Sequence, residues 1–303
     1  MIRKTLGRTG LEVTQLGFGS MELRGERIWS GRPVHDEQAE RLLNEVLDAG
    51  INFIDTANCY GKSEGYIGRF ISSRRNEYYL ATKCGCGIED AGDHDETPHE
   101  WTRERLERNL DDSLALMKTD HVDIWQIHNA DPALVEAGGL VDMMKAARGD
   151  GRVRFLGVST TLPHLPKYLA MGVFDTFQIP YSALQRAEED TITAAASAGA
   201  GIIIRGGVTR GALSEDRKWE ERAEIWDRAG LDDLLGGMPR MEFLLRFTLT
   251  HPFCHTTIVG TLNCAHLRGN LAAAAAGPLP ADIYTEAKRR LDDAGEKPEP
   301  LPA

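Results

Sequence analysis

Residues 35–56 read HDEQAERLLNEVLDAGINFIDT, and two periodicities meet within them. Ala39, Leu42, Leu43, Val46 and Leu47 recur three and four positions apart, the spacing of one buried helical face. After Gly50 the pattern changes to the apolar run INFI, which is long enough for a strand and too short for a helix. The run ends on a carboxylate, Asp55, and a phenol follows at Tyr60. A helix feeding a buried strand, with ionisable groups at the strand's far end, is the unit from which the rest of the chain is read.

Outward from this stretch the unit repeats. VTQLGFG supplies a strand before the helix at 35–50, and INFIDT is followed by a helix from about Ser63 to Ser72. YYLATK precedes a helix from about Trp101, where Leu106, Leu110, Leu114 and Met117 line one side. VDIWQIH precedes a helix opened by Pro132, a residue suited to a first helical position. VRFLGVS pairs with LPHLPKYLA, FDTFQIP with EDTITAAASAG, GIIIRGG with a helix opened by Pro239, and HTTIVGT with AHLRGNLAAAAA. Eight strand and helix pairs predict an α/β fold, a (β/α)₈ TIM barrel, forming a single domain over residues 1–303. IRKTLGRTGLEV predicts an N-terminal β-hairpin cap, and PLPADIYTEAKRRLDDAG an extra C-terminal helix. Residues 206–238 predict an insertion after the seventh strand, partly helical, in which Trp219 and Trp226 suit a lid and a docked apolar stripe equally.

Composition narrows the function classes. A net charge of −11 with scattered basic residues argues against nucleic acid as a partner. No apolar run approaches the roughly 18 residues of a membrane span, and the basic N-terminus has no apolar core behind it, so a cytoplasmic protein with no membrane partner is expected. The five cysteines are irregularly spaced and predict reduced thiols. CGC at 84–86 reads as ordinary thiols near a mouth, and EDAGDHDETPH at 89–99 as a solvated acidic loop; no metal is expected.

In such a barrel the C-terminal strand ends face one mouth, and the polar residues there carry the chemistry. Asp55 ends the second strand, Lys83 the third and His128 the fourth, with Tyr60 just past the second; Ser159, Gln178, Arg205 and Thr261 lie at other strand ends. A phenol is a weak acid near neutral pH unless its anion is stabilised. An ammonium at Lys83 would lower it, Asp55 would keep that ammonium charged, and His128 would orient a carbonyl oxygen or share in moving a proton. The grouping suits protonation of an oxygen on which negative charge develops, as in hydride addition to a carbonyl.

The strings LGFGSM, DAGINFIDTANCYG, LATK, VDIWQIH, LGVS, FQIPYSAL, RGAL and HTTIVGTLNCAHLRGNLAAA, in this order, resemble the aldo-keto reductase superfamily over nearly the whole chain. The resemblance implies an NADP(H)-dependent oxidoreductase, with NAD(H) as the alternative cofactor, acting on a small carbonyl or alcohol substrate of aldehyde, ketone or sugar type. It gives the catalytic roles to Asp55, Tyr60, Lys83 and His128, with Tyr60 as general acid. It places Gly19, Ser20, Met21 and Asp55 near the nicotinamide and pyrophosphate, Ser159 and Gln178 on the carboxamide, and Arg205 where an aromatic commonly stacks on the ring. Gly206, Val208 and Arg210 fall in the stretch that wraps the pyrophosphate, and Gly260, Thr261, Leu262, His266 and Asn270 surround the adenosine phosphate end. Gly260 and His266 stand where a Lys or Arg often meets the 2′-phosphate, leaving Arg268 or Arg210 to compensate; Thr160 stands where the family often has Asn. Trp29 and Cys59 are candidates to line the substrate pocket. The rival readings are an NADPH-sensing partner protein like the potassium-channel β subunits, and an isomerase using Lys83 as a Schiff base. Oligomeric state stays open.

Overall fold

Each apolar run becomes one strand of a closed parallel ring: β1 (Leu16–Gly19), β2 (Phe53–Asp55), β3 (Tyr79–Cys84), β4 (Val122–His128), β5 (Val153–Ser159), β6 (Thr176–Pro180), β7 (Gly201–Arg205) and β8 (Thr256–Val259). The computed structural model describes residues 1–211, 213–214, 217–218 and 220–301. Strands adjacent in sequence are adjacent in the ring, and β8 closes on β1 with Thr257 opposite Leu16. Between them run α1 (Asp36–Asp48), α2 (Ser63–Phe70), α3 (Arg103–Met117), α4 (Leu140–Gly149), α5 (Leu165–Ala170), α6 (Glu189–Ser197) and α7 (Arg240–Thr250), with α8 (Cys264–Ala276) after β8. The (β/α)₈ expectation is met.

Local chemistry explains where the helices start. The five residues that the helical spacing picks out, Ala39, Leu42, Leu43, Val46 and Leu47, are buried on α1, each contributing about 1.5–3 kcal/mol if a leucine or valine. The Thr102 hydroxyl accepts from the backbone N–H of Arg105 and caps α3. Pro132 opens a short helix, Pro132–Ala137, capped by the Asp131 carboxylate. That helix stops at Gly138 and Gly139, and α4 starts afresh from Gly139 at φ +59°.

The first strand is shorter than VTQLGFG suggests. Glu12–Thr14 pairs with Arg3–Thr5 in the expected N-terminal hairpin, and the chain changes partners at Gln15, whose side chain donates 2.9 Å to the Leu249 carbonyl. The hairpin plugs the lower mouth by burying Leu6, Leu11 and Val13 against Phe53, Ala81, Ile124 and Ile203 of the strands. Its turn needs Gly7, at φ +50°, because a Cβ there would stand 2.3 Å from the Gly201 nitrogen.

The insertion after β7 contains a turn at Thr209–Gly211, a helix at Glu220–Arg228 and a turn at Leu231–Leu234. Trp226 is fully buried there, edge-on to Phe243 of α7 at 5.5 Å, with its indole N–H donating 2.9 Å to Asp232. Trp226 is therefore a docking residue; Trp219 and the side chain of Arg210 lie outside the described residues. The extra C-terminal helix, Ala281–Asp293, is held by Arg186, which pairs with Glu189 of α6 at 2.8 Å and with Asp292 at 2.7 Å.

Residues 89–99 are largely exposed, as expected of a solvated acidic loop, and part of them is paired. Glu89–Asp90 and Asp95–Glu96 form a two-stranded ladder, and Arg27 from the loop after β1 grips it through Asp90 at 2.7 Å and Asp95 at 2.6 Å. Trp29 joins the same contact, donating 3.1 Å to the Thr97 hydroxyl. No helix among the described residues is long and apolar enough to cross a membrane.

Candidate active site

The register of the ring brings the polar strand ends together. Gly19 pairs with Asp55, Lys83 with Gln126, and His128 with Ser159, which in turn pairs with Gln178. The Lys83 ammonium donates 2.6 Å to Asp55 Oδ2 and 2.7 Å to the Thr56 carbonyl. It lies 4.8 Å from the centre of the Tyr60 ring, which meets the His128 imidazole edge-on at 6.2 Å. Asp55 and Lys83 are 1% exposed, Tyr60 8% and His128 9%, so the group sits at the bottom of the mouth with only the phenol and imidazole reaching out. Trp29, at 47% exposure, stands over Tyr60 with ring centres 6.0 Å apart.

The other carboxylate oxygen of Asp55 is occupied as well. Gln126 Nε2 donates to Oδ1 at 3.1 Å and Gln178 Nε2 at 2.6 Å, while Gln178 Oε1 accepts from the Ser159 hydroxyl at 3.0 Å. Gln126 escaped the sequence reading, yet strand alternation points to it: it lies two residues before His128 on the same face of β4.

Burial and charge compete at each group. Burial raises the Tyr60 phenol above its ordinary value; Lys83 opposes this and Asp55 reinforces it. The lowering expected from the lysine alone is outweighed, because the closed mouth strips the phenolate of water. Burial works against the Lys83 ammonium, but Asp55 and then Tyr60 overcome it and hold the lysine above its ordinary value. Burial, followed by the charge on Lys83, His99 and Arg205, puts His128 well below the usual histidine value, so the ring is neutral at pH 7.

A second cluster surrounds the imidazole. His128 Nδ1 lies 3.1 Å from Cys86 Sγ and 3.8 Å from Cys59 Sγ, and His99 Nε2 lies 3.3 Å from Cys86 Sγ on its other side. Cys59 and Cys86 are both fully buried. Cys84 points elsewhere, donating to the Gln126 carbonyl at 3.3 Å. All five cysteines are free thiols.

The residues expected to hold a dinucleotide are distributed over the ends of β1, β5, β6, β7 and β8 and onto α8. Ser20 is fully buried, its hydroxyl donating 2.9 Å to the Asp55 carbonyl, and Met21 beside it is half-buried. Ser159, Thr160 and Gln178 are each 1% exposed, and Arg205 at the end of β7 is half-buried. Gly206 has φ +72°, with the nearest atom to a would-be Cβ 4.0 Å away, so its backbone is approachable; Val208 follows at 9% exposure. Gly260 could not be another residue, since a Cβ would stand 2.5 Å from the Gly19 carbonyl. Thr261 and Leu262 lead into α8, on which His266 is exposed and Asn270 half-buried. Next to them a cleft of about 520 Å³ is lined by Gln38, Arg41, Glu45, Leu262, Asn263, Cys264, Ala265 and Arg268. Two guanidinium groups beside the first turn of a helix suit an anionic phosphate, so the donor set fits a dinucleotide here. Arg268 is engaged by Glu45 at 2.7 Å.

Comparison with known proteins agrees with this layout. The model of the aldo/keto reductase family matches residues 15–290. The structure titled aldo-keto reductase AKR11C1 from Bacillus halodurans (holo form) superposes with a TM-score of 0.84 at 26% identity, covering 96% of each chain. The Bacillus subtilis protein named uncharacterized oxidoreductase YrpG is 29% identical over 97% of each chain. The Escherichia coli NADH-specific methylglyoxal reductase is 27% identical over 62% of this chain and 61% of its own. With an eight-stranded ring whose polar ends meet at one mouth, and a family match running from β1 into the C-terminal helix, this chain belongs to the aldo/keto reductases, oxidoreductases that depend on a nicotinamide cofactor.

Proposed function

We propose that the protein reduces small aldehydes or ketones with NADP(H), using Tyr60 as the proton donor and Asp55, Lys83 and His128 in support. The observation that carries this reading is the chain of contacts from Asp55 to the Lys83 ammonium to the Tyr60 ring, with a neutral imidazole beside the phenol. When bound, the reduced nicotinamide supplies the hydride. The residues of the chain then manage the proton and the developing charge.

His128, neutral at pH 7, donates a ring N–H to the substrate oxygen and holds it facing Tyr60. The raised phenol stays protonated at neutral pH, so its proton is in place before the reaction. As the carbonyl oxygen gains charge it becomes a far stronger base than a phenolate, and the phenol O–H bond breaks as the alcohol O–H forms. The Lys83 ammonium stabilises the phenolate left behind, and Asp55 keeps that ammonium charged. Solvent returns the proton to Tyr60. Trp29, whose ring stands over Tyr60, is the wall against which a substrate would lie, with Cys59 behind the pocket.

NADP(H) is favoured by Arg41 and Arg268 at the cleft beside α8. One observation favours NAD(H) as the second reading: Glu45 already occupies Arg268, and a relative of this chain is named an NADH-specific reductase. The experiment is to titrate NADPH and NADH by protein fluorescence and then assay a carbonyl panel with wild type and Tyr60→Phe. Loss of turnover with unchanged cofactor affinity is expected. A Tyr60→Phe enzyme that still turns over at the wild-type rate would remove the phenol from its role.

A further inference from the structure

We propose that Cys59, Cys86 and His128 form a binding site for a soft divalent cation, Zn²⁺ by the chemistry of its ligands, directly beneath Tyr60. From the sequence no metal is expected, the acidic run at 89–99 included. The structure instead gathers three ligands, two thiols and an imidazole, from three places in the chain: the loop after β2, the loop after β3 and the end of β4.

The geometry is that of a nearly assembled site. Tetrahedral zinc, with sulfur at about 2.3 Å and nitrogen at about 2.0–2.1 Å, sets its ligand atoms roughly 3.5–3.8 Å apart. Here Nδ1 of His128 lies 3.1 Å from one sulfur and 3.8 Å from the other, and the three ligand atoms all fall within 4.8 Å of one another. His99, with Nε2 3.3 Å from Cys86 Sγ, borders the cluster on the side of that thiol.

The donor set is selective. Thiolate and imidazole suit zinc, whereas magnesium and calcium take oxygen, and this cluster offers no carboxylate. Two thiolates and one dication leave no net charge, the condition under which ions tolerate burial. As each sulfur–metal bond forms, the thiol proton leaves for solvent, so one cation replaces two protons. The site rests on ligand geometry alone and stands whether or not Tyr60 is the acid.

The test is a Co²⁺ titration of the reduced, cofactor-free protein, followed by displacement with Zn²⁺. One cobalt per chain is expected, with a thiolate-to-cobalt charge-transfer band and the strong visible absorption of tetrahedral cobalt. Cys59→Ser and Cys86→Ser are each expected to weaken binding by about tenfold or more, while Cys84→Ser, whose sulfur lies outside the cluster, leaves it unchanged. Zinc-edge X-ray absorption on the unsubstituted protein covers the case in which a serine variant fails to fold; two sulfur neighbours at about 2.3 Å are expected. A shell of only nitrogen and oxygen, a weak octahedral cobalt spectrum, or full affinity in a folded Cys86→Ser protein would overturn the site.

Discussion

Lys83 Nζ and Asp55 Oδ2 lie 2.6 Å apart with both side chains almost sealed from water. Removing one member of such a pair leaves the other buried and uncompensated, which costs about 3–5 kcal/mol. Asp55→Asn is therefore expected to lose that much stability in urea denaturation. If the ammonium serves the phenol, turnover falls as well, by roughly 10²–10⁴-fold. A stability loss with undiminished turnover would separate the pair from the reaction.

Glu64 of α2 is a buried carboxyl that accepts from the Thr82 hydroxyl at 2.5 Å and the Ser113 hydroxyl at 2.9 Å. Burial, only partly offset by these bonds, raises it from 4.5 to about 7. The fold thus favours the neutral acid. The stabilisation is complete below the unfolded value of 4.5 and is lost as the pH rises through about 7. At about 1.4 kcal/mol per pKa unit the whole effect is on the order of 3 kcal/mol. Glu64→Gln is expected to flatten the denaturation midpoint between about pH 5 and pH 8 and to be the more stable protein at the upper end.

The Glu45–Arg268 contact, at 2.7 Å, faces the cleft beside α8. Glu45→Gln releases the guanidinium for a 2′-phosphate, and the expected result is a several-fold gain in NADPH affinity with little change for NADH. Fluorescence titration of both cofactors reads the ratio. An unchanged ratio would mean that the phosphate is met elsewhere.

Trp226 distinguishes a docked insertion from a lid. Its full burial against Phe243 predicts that Trp226→Ala loses about 3–5 kcal/mol in chemical denaturation. Turnover at saturating substrate, measured below the transition, should stay near wild type. A variant of normal stability with altered turnover would reverse that assignment.

The ring was legible in the sequence because both of its periodicities are local: α1 buries the five residues its spacing picks out, Asp55 and His128 end their strands, and Lys83 stands one residue before the end of its own. The convergence of Lys83 and Tyr60 also follows, since neighbouring strands of a parallel ring share one mouth. What stayed hidden depends on contacts between loops. Nothing in the spacing of Cys59, Cys86 and His99 announces that they meet around one imidazole. The lowering by Lys83 is legible in the sequence and is present, whereas the burial that outweighs it at Tyr60 belongs to the assembled mouth. Residues 89–99 are the exposed acidic run the sequence suggests, but their cation, Arg27, lies more than sixty positions away and is not legible there.

The grip of Arg27 on Asp90 and Asp95 makes two rim segments mechanically one. If substrate enters past Trp29, as proposed, residues 27–29 and 89–97 would swing together or that clasp would part first. Efforts to widen the range of compounds accepted at this rim should therefore redesign both segments jointly, since relaxing either one by itself would leave Trp29 without its anchor on Thr97.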